Sequence, residues 1–265
     1  MPKFGFSEAE LARWRDQAHL LEGTDNVAVV LVHGWSAMPK QVMHIAQALH
    51  DEGYWVKIPV LKGHGTYPED LEEARYEHWL SDVSSAIEEM RQNPAIRYVI
   101  ACGVSLGGNL VLLASLKSRV EGLILIGTPA YLRRHFFIWW AVQAGALLKK
   151  YVRKKYHKGV DLDFIGNHSY QYFPLVSARE SFRVIRKFIK ALSKIHTPTL
   201  IFQISGDYMI GRRSPWLIYK GIKSEYKKIS WMTSAKKSHV PLAGELSDFM
   251  IDTIRFINDI KKDKK

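Results

Sequence analysis

A serine between two glycines is the side chain best placed for chemistry in this sequence. Ser105 lies in the run GVSLG, residues 103–107. The apolar residues 98–102 predict a buried strand and a second apolar run from Leu106 predicts a helix, so Ser105 falls at a strand-to-helix turn. Such a turn holds a serine in a strained backbone conformation with its hydroxyl exposed, and flanking glycines relieve the crowding. We interpret Ser105 as a candidate nucleophile, the alternative being a serine in an ordinary tight turn.

Two further residues could activate this serine. A hydroxyl is a poor nucleophile unless a base takes its proton, and the base needs a carboxylate to orient it. Asp207 comes directly after the predicted strand 199–205, and His239 lies between the last predicted strand, residues 226–232, and the closing helix. Either residue alone is equally well explained as an ordinary loop residue. Together, in the chain order serine, acid, histidine, they predict a catalytic triad with Ser105.

The negative charge that develops on a reacting carbonyl oxygen needs hydrogen-bond donors near Ser105. In a site of this type they are backbone N–H groups, one from the residue after the nucleophile and one from the loop after an earlier strand. These positions are Leu106 and Trp35, and Gly34 allows the chain to approach a substrate closely. The Trp35 side chain can also form an apolar wall, which is compatible with the backbone role.

The elements that position these residues alternate between strands and helices. Continuous apolar runs predict buried strands at residues 27–32, 98–102, 120–127 and 199–205. Their alternation with helices predicts an α/β fold with a mainly parallel sheet and helices on both faces. We expect a core domain formed by residues 1–130 and 196–265, interrupted by an insertion at residues 131–195.

The insertion at residues 131–195 carries most of the charge. The chain has a net charge of +12, and this segment holds 14 Lys or Arg residues against 3 acidic ones. Within it, residues 136–148 are uncharged and include Trp139 and Trp140. A run of this length is too short to cross a bilayer. We expect a small basic cap over the carboxyl edge of the sheet, where α/β sheets bind ligands, with both tryptophans lining the substrate pocket.

Two alternatives for the basic cap stay open. It could be an interfacial helix in peripheral contact with anionic membrane lipid, or a cap whose basic face is only solvated. Nucleic acid is not an expected partner, because no recognised binding motif accompanies the charge.

Length and cysteine content bound the class of protein. A chain of 265 residues fits one α/β domain with an insertion, and a single cysteine, Cys102, allows no internal disulfide. Residues 1–14 contain no unbroken apolar segment, so they predict neither a signal peptide nor a spanning helix. We expect a cytoplasmic protein, peripheral to a membrane only if the basic cap contacts lipid. The sequence carries no signal for an oligomeric state.

Five short motifs resemble a known family. They are LVHGW at 31–35, PVLKGHG at 59–65, GVSLGG at 103–108, SGD at 205–207 and SH at 238–239. Together they resemble the α/β-hydrolase superfamily, most closely its small bacterial carboxylesterase and monoacylglycerol lipase-like branch. The resemblance implies an α/β-hydrolase fold with a cap after the sixth family strand, and hydrolysis of carboxylic esters by Ser105, His239 and Asp207 without a metal or cofactor. In that branch the loop around His64 is mainly structural, so His64 is not expected to be catalytic.

The leading hypothesis is a serine carboxylesterase that cleaves small-molecule esters with short to medium acyl chains, monoacylglycerols among them. A second hypothesis uses the same triad for thioester hydrolysis or acyl transfer, because a basic cap would suit an anionic, phosphate-bearing acyl donor. A third is a hydrolase-like scaffold that binds lipid without catalysis. The presence of all three triad residues argues against the third.

Overall fold

A seven-stranded sheet forms the centre of the fold. A computed structural model describes residues 19–131, 142, 150–154, 168–234 and 238–263 of the chain. The strands are β1 (His19–Leu21), β2 (Val27–Val32), β3 (Trp55–Ile58), β4 (Tyr98–Val104), β5 (Gly122–Ile126), β6 (Tyr151–Arg153), β7 (Tyr172–Pro174), β8 (Thr199–Ile204) and β9 (Lys227–Met232). The order in the sheet is β1-β3-β2-β4-β5-β8-β9. Strand β1 runs antiparallel to β3 and the other neighbours pair in parallel, which confirms the predicted mainly parallel sheet.

The central strands of this sheet are covered on both faces. Every residue of β2, β4, β5 and β8 is buried, as their continuous apolar sequences require. In the parallel register Val32 lies opposite Gly103, and Val104 lies opposite Ile126. The loops that follow these strands therefore leave from the same carboxyl edge of the sheet.

Helices pack on both faces, as predicted. They are α1 (Met43–Asp51), α2 (Tyr76–Gln92), α3 (Leu106–Ala114), α4 (Leu175–Ala191), α5 (Arg213–Gly221) and α6 (Ser247–Asp263). One core cluster joins the apolar sides of α2, α3, α4 and α5 to one face of the sheet. The other cluster joins α1 and α6 to the opposite face. Among the described residues, none of the helices combines the length and apolar composition that crossing a bilayer requires.

The described parts of segment 131–195 include a two-stranded sheet and a helix. Strands β6 and β7 pair antiparallel, apart from the main sheet. Helix α4 buries Val184 and Phe188 in the same core cluster as α3, so the last part of this segment packs on the core. The division into a core and a cap at residues 131 and 195 stays a prediction.

Candidate active site

Ser105 occupies a strained turn between β4 and α3. Its backbone angles are φ 55° and ψ −120°, and its N–H donates to the Ile126 carbonyl at 2.8 Å. A positive φ is unfavourable for a residue with a side chain, so the packed strand and helix must hold it. A carbon added to Gly103 would lie 2.3 Å from the Gly107 carbonyl carbon, and one added to Gly107 would lie 2.3 Å from the Val32 oxygen. Both glycines are therefore needed for the strand and helix to meet here.

Asp207 and His239 are in contact at this edge of the sheet. Nδ1 of His239 lies 2.7 Å from Oδ2 of Asp207, and both side chains are buried. Gln203 Nε2 donates to the same oxygen at 3.0 Å. The other oxygen, Oδ1, accepts from the backbone N–H groups of Met209 at 2.8 Å and Ile210 at 2.9 Å. Four donors fix the carboxylate, and the carboxylate favours the imidazole tautomer with its proton on Nδ1.

The loop that carries His239 is anchored through the residues that precede and follow the histidine. Nε2 of His44, on α1, lies 2.8 Å from the Pro241 carbonyl. The Ser238 hydroxyl donates to the Val240 carbonyl, and the Val240 side chain is buried in the core. These contacts hold the imidazole at the sheet edge.

The His239 ring lies against Gly127, the residue that follows β5, and β5 is the strand beside the one that ends just before Ser105. Val104 pairs with Ile126, so Ser105 and Gly127 follow neighbouring strand ends. A carbon added to Gly127 would lie 3.0 Å from Cε1 of His239. Nε2 of His239 is buried and has no hydrogen-bond partner among the described residues, so it is not bonded to the serine in this conformation. Catalytic hydrogen bonds of this kind are often long in a free enzyme and tighten when substrate binds.

The loop after β2 leaves one N–H group available beside the serine. The Gly34 N–H donates to Gln41 Oε1 at 2.9 Å. The Ser36 N–H donates to Nε2 of His64 at 2.9 Å, and the Ala37 N–H donates to the Gly34 carbonyl at 3.2 Å. Within the described part of the chain, these bonds account for three of four consecutive N–H groups. The fourth belongs to Trp35.

The direction of the Trp35 N–H is fixed through its own peptide plane. The Gly34 carbonyl belongs to that plane, and besides the Ala37 N–H it accepts from Nδ1 of His33 at 3.0 Å. A carbon added to Gly34 would lie 3.5 Å from Cβ of Ser105, so this loop lies against the serine. Leu106 is the first residue of α3, and N–H groups in the first turn of a helix have no intrahelical partner.

Two buried histidines support the loop after β2. His33 accepts from the Leu61 N–H through Nε2 at 3.4 Å. His64 supplies the Nε2 that accepts from Ser36, and its Nδ1 lies 3.2 Å from the Lys62 carbonyl. Burial lowers the pKa of His33 to about 4. Burial, with a smaller effect of the neighbouring His33, lowers the pKa of His64 well below 6.5, so both rings are neutral at physiological pH and can accept these hydrogen bonds.

The remaining predicted site residues are placed as follows. Gly34 lies beside Ser105, whereas Trp139 and Trp140 lie outside the described residues. In the described ranges, no group of three His, Cys, Asp or Glu side chains could hold a metal ion.

The mostly parallel sheet, the helices on both faces and the strained serine after the central strand define an α/β hydrolase. The family described as serine aminopeptidase, S33 (Hydrolase_4) matches residues 24–236, and the chain belongs to this family. The superfamily that the sequence motifs resemble is thereby confirmed.

Similar proteins are lipases and esterases. The thermostable monoacylglycerol lipase of Bacillus sp. (strain H-257) is 28% identical over 213 residues, which cover 77% of this chain and 79% of the lipase. The carboxylesterase of Bacillus subtilis (strain 168) is 24% identical over 204 residues, covering 77% of this chain and 81% of the esterase. A soluble variant of monoglyceride lipase from Saccharomyces cerevisiae shares the fold, with a TM-score of 0.75 and 16% identity over 91% of this chain and 90% of its own. The chain is an enzyme, an α/β hydrolase of the esterase and monoacylglycerol lipase type.

Proposed function

We propose that this chain is a serine carboxylesterase that cleaves esters with short to medium acyl chains, monoacylglycerols among them. The observation that carries the proposal is the 2.7 Å contact between Asp207 and His239 at the edge where Ser105 occupies its strained turn. The names of the two Bacillus relatives support the substrate class.

The reaction follows from the placement of these groups. Ser105 Oγ attacks the ester carbonyl carbon while Nε2 of His239 takes its proton, and the imidazolium is stabilised by Asp207. The N–H groups of Leu106 and Trp35 hold the oxyanion. The imidazolium then gives its proton to the leaving alkoxide, which departs as the alcohol. Water, activated by the same imidazole, hydrolyses the acyl-enzyme and restores Ser105.

The test of this function is hydrolysis of p-nitrophenyl esters from acetate to laurate, of a monoacylglycerol and of an acyl-CoA. We expect ester turnover to exceed thioester turnover, and Ser105→Ala to lose about three orders of magnitude or more in kcat. A fluorophosphonate should label Ser105 in the folded protein. Full activity in Ser105→Ala, or no labelling, would overturn the proposal, and faster acyl-CoA turnover would reassign the substrate class.

We also propose that residues 131–195 cover the site as a cap whose aromatic part, Trp139 and Trp140, lines the acyl pocket. The support is an isolated bridge between Ser169 of this segment and Ala37, two residues after Trp35. Peripheral lipid contact through the basic residues is tested by sedimentation with anionic and with neutral vesicles over a salt series. Sedimentation that ignores both lipid charge and salt would rule out electrostatic docking.

A further inference from the structure

The end of segment 131–195 is hydrogen-bonded along the loop that carries Trp35. The Met38 N–H donates to the His168 carbonyl at 3.1 Å, and the Tyr170 N–H donates to the Ser36 carbonyl at 2.9 Å. The bridge at Ser169 lies between these two bonds. Residues 168–177, here named the clamp segment, therefore run antiparallel to this loop at the start.

The other end of the clamp segment holds the side chain of Trp35. The indole Nε1 donates to the Ser177 hydroxyl at 2.9 Å, and the ring packs edge-on against Phe173 with centroids 4.7 Å apart. Ser177 is fully buried in the first turn of α4, and α4 is packed on the core. The tip of the indole is thus bonded to a helix that packs on the core.

A third contact reaches the same loop through His64. The Tyr170 hydroxyl, which is 1% exposed with its ring, donates to the Gly63 carbonyl at 3.1 Å and accepts from the Thr66 N–H at 2.9 Å. These bonds bracket His64, whose Nε2 accepts from the Ser36 N–H. Burial raises the pKa of Tyr170, which keeps the phenol protonated and able to donate.

We propose that the clamp segment sets the geometry of the oxyanion hole, and that Ser177 is a positioning residue that acts through the indole of Trp35 on the backbone N–H of Trp35. The inference rests on the proposed esterase function, because it assigns that N–H to the oxyanion. The indole of Trp35 is held by the Ser177 hydroxyl and by the Phe173 ring. Its backbone is held on the N–H side through the Gly34 carbonyl and on the other side by the Ser36 hydroxyl, which donates to the Trp35 carbonyl at 2.6 Å. Releasing the indole from Ser177 removes the restraint that links the side chain to α4 and loosens the direction of the N–H toward the oxyanion.

The expected kinetic effect falls on kcat. Loss of a complete oxyanion-hole donor reduces kcat by about a hundredfold to a thousandfold. A donor that is misdirected and still present should lose less, so we expect Ser177→Ala to reduce kcat by about tenfold to a hundredfold. The KM should change little, since the ground-state ester does not need the aligned N–H.

The experiment compares Ser177→Ala with two matched variants. Ser181→Ala makes the same substitution one turn along α4, where the hydroxyl donates to the Ala178 carbonyl within the helix, and it should keep wild-type kcat. Trp35→Phe keeps an aromatic ring without the indole N–H, and its effect should not add to that of Ser177→Ala, because both remove the same bond. Ser177→Thr keeps a hydroxyl and should recover part of the lost kcat.

Hydrogen exchange of residues 33–38 provides a readout that does not need activity. Exchange should be faster in Ser177→Ala than in wild type and unchanged in Ser181→Ala. Unchanged kcat in Ser177→Ala, with or without faster exchange, would overturn the positioning role, as would an equal loss in Ser181→Ala. If the wild-type protein hydrolyses none of the esters, the proposed function fails, and exchange alone then decides whether the clamp segment holds the loop.

Discussion

Replacing Asp207 by asparagine tests the proposed triad at a single atom. The change keeps the shape of the side chain and substitutes an NH2 group for one carboxylate oxygen. Both oxygens face donors in the structure, Oδ2 facing His239 and Gln203, and Oδ1 facing the N–H groups of Met209 and Ile210. Whichever way the new amide turns, its NH2 group meets two donors.

The amide is expected to turn its NH2 group toward His239. The backbone N–H groups on the other side are fixed by the chain, whereas an imidazole can move its proton from Nδ1 to Nε2. With the proton on Nε2, His239 cannot accept the proton of Ser105. This wrong tautomer should reduce kcat by about four orders of magnitude, or ~5.5 kcal/mol of transition-state stabilisation. The new NH2 group would then also face Nε2 of Gln203, so a buried donor would lose its acceptor. This loss should lower the free energy of unfolding by about 1–3 kcal/mol.

The assay is kcat for p-nitrophenyl butyrate, corrected for the folded fraction from urea unfolding. Gln203→Leu is the matched control, because it removes one donor to Oδ2 and leaves the contact between Asp207 and His239 in place. A lost hydrogen bond of this kind is worth about 1 kcal/mol, so the control should stay within about tenfold of wild type. If the asparagine variant keeps more than about a tenth of wild-type kcat, the assignment of Asp207 is wrong.

Three further predictions concern the stability and reactivity of the core. Gly103→Ala should lower the free energy of unfolding by about 1–3 kcal/mol in urea denaturation, because the added carbon would lie 2.3 Å from backbone atoms. Gly206→Ala is the control and should be neutral, because the space around Gly206 is open. Equal effects of the two substitutions would contradict this reasoning. Unfolded imidazoles bind protons near pH 6.5, whereas folded His33 does so only near pH 4 and burial holds the pKa of folded His64 well below 6.5. The free energy of unfolding should therefore fall as pH drops below 6.5, with a slope that approaches about 1.36 kcal/mol per pH unit for each ring. His64→Gln should remove the contribution of one ring from that slope in urea denaturation below pH 6.5, and an unchanged slope would refute the assignment. Cys102 is buried and burial raises its pKa, so a thiol reagent should label it only at the rate of unfolding, and rapid labelling of the folded protein would contradict its placement.

Sequence patterns predict the central part of this fold because its strands are covered on both faces. Strands β2, β4, β5 and β8 are nearly continuous apolar runs separated by polar loops. This pattern is typical of strands in a parallel sheet that is buried on both faces. Parallel strands bring their carboxyl ends to one edge, so loop position alone is enough to group Asp207 with His239. That contact is present in the structure.

Short and edge elements are beyond this kind of prediction. Strands β1, β6 and β7 have three residues each, which is too few to show a period of two. Strand β1 is at the edge of the sheet, where one neighbour and half-buried side chains leave a weak pattern. Pairing with distant partners decides their conformation.

The packing of α4 on the core is hard to predict from the charge of its sequence. The segment 131–195 is strongly basic, but on α4 the charged side chains Arg183 and Lys187 face outward while Val184 and Phe188 are buried. Net charge counts all faces of a helix equally, whereas packing uses only one. The supporting roles of His33 and Tyr170 are equally hidden, because they depend on carbonyl and N–H partners in separate loops.

The attachment of Trp35 to Ser177 limits how freely parts can be exchanged between relatives of this enzyme. Replacing the whole of segment 131–195 to alter acyl-chain preference would also remove Ser177 and the clamp segment, which hold Trp35 and its backbone N–H. A chimaera that changes residues 132–167 and retains 168–177 should preserve turnover while its selectivity changes.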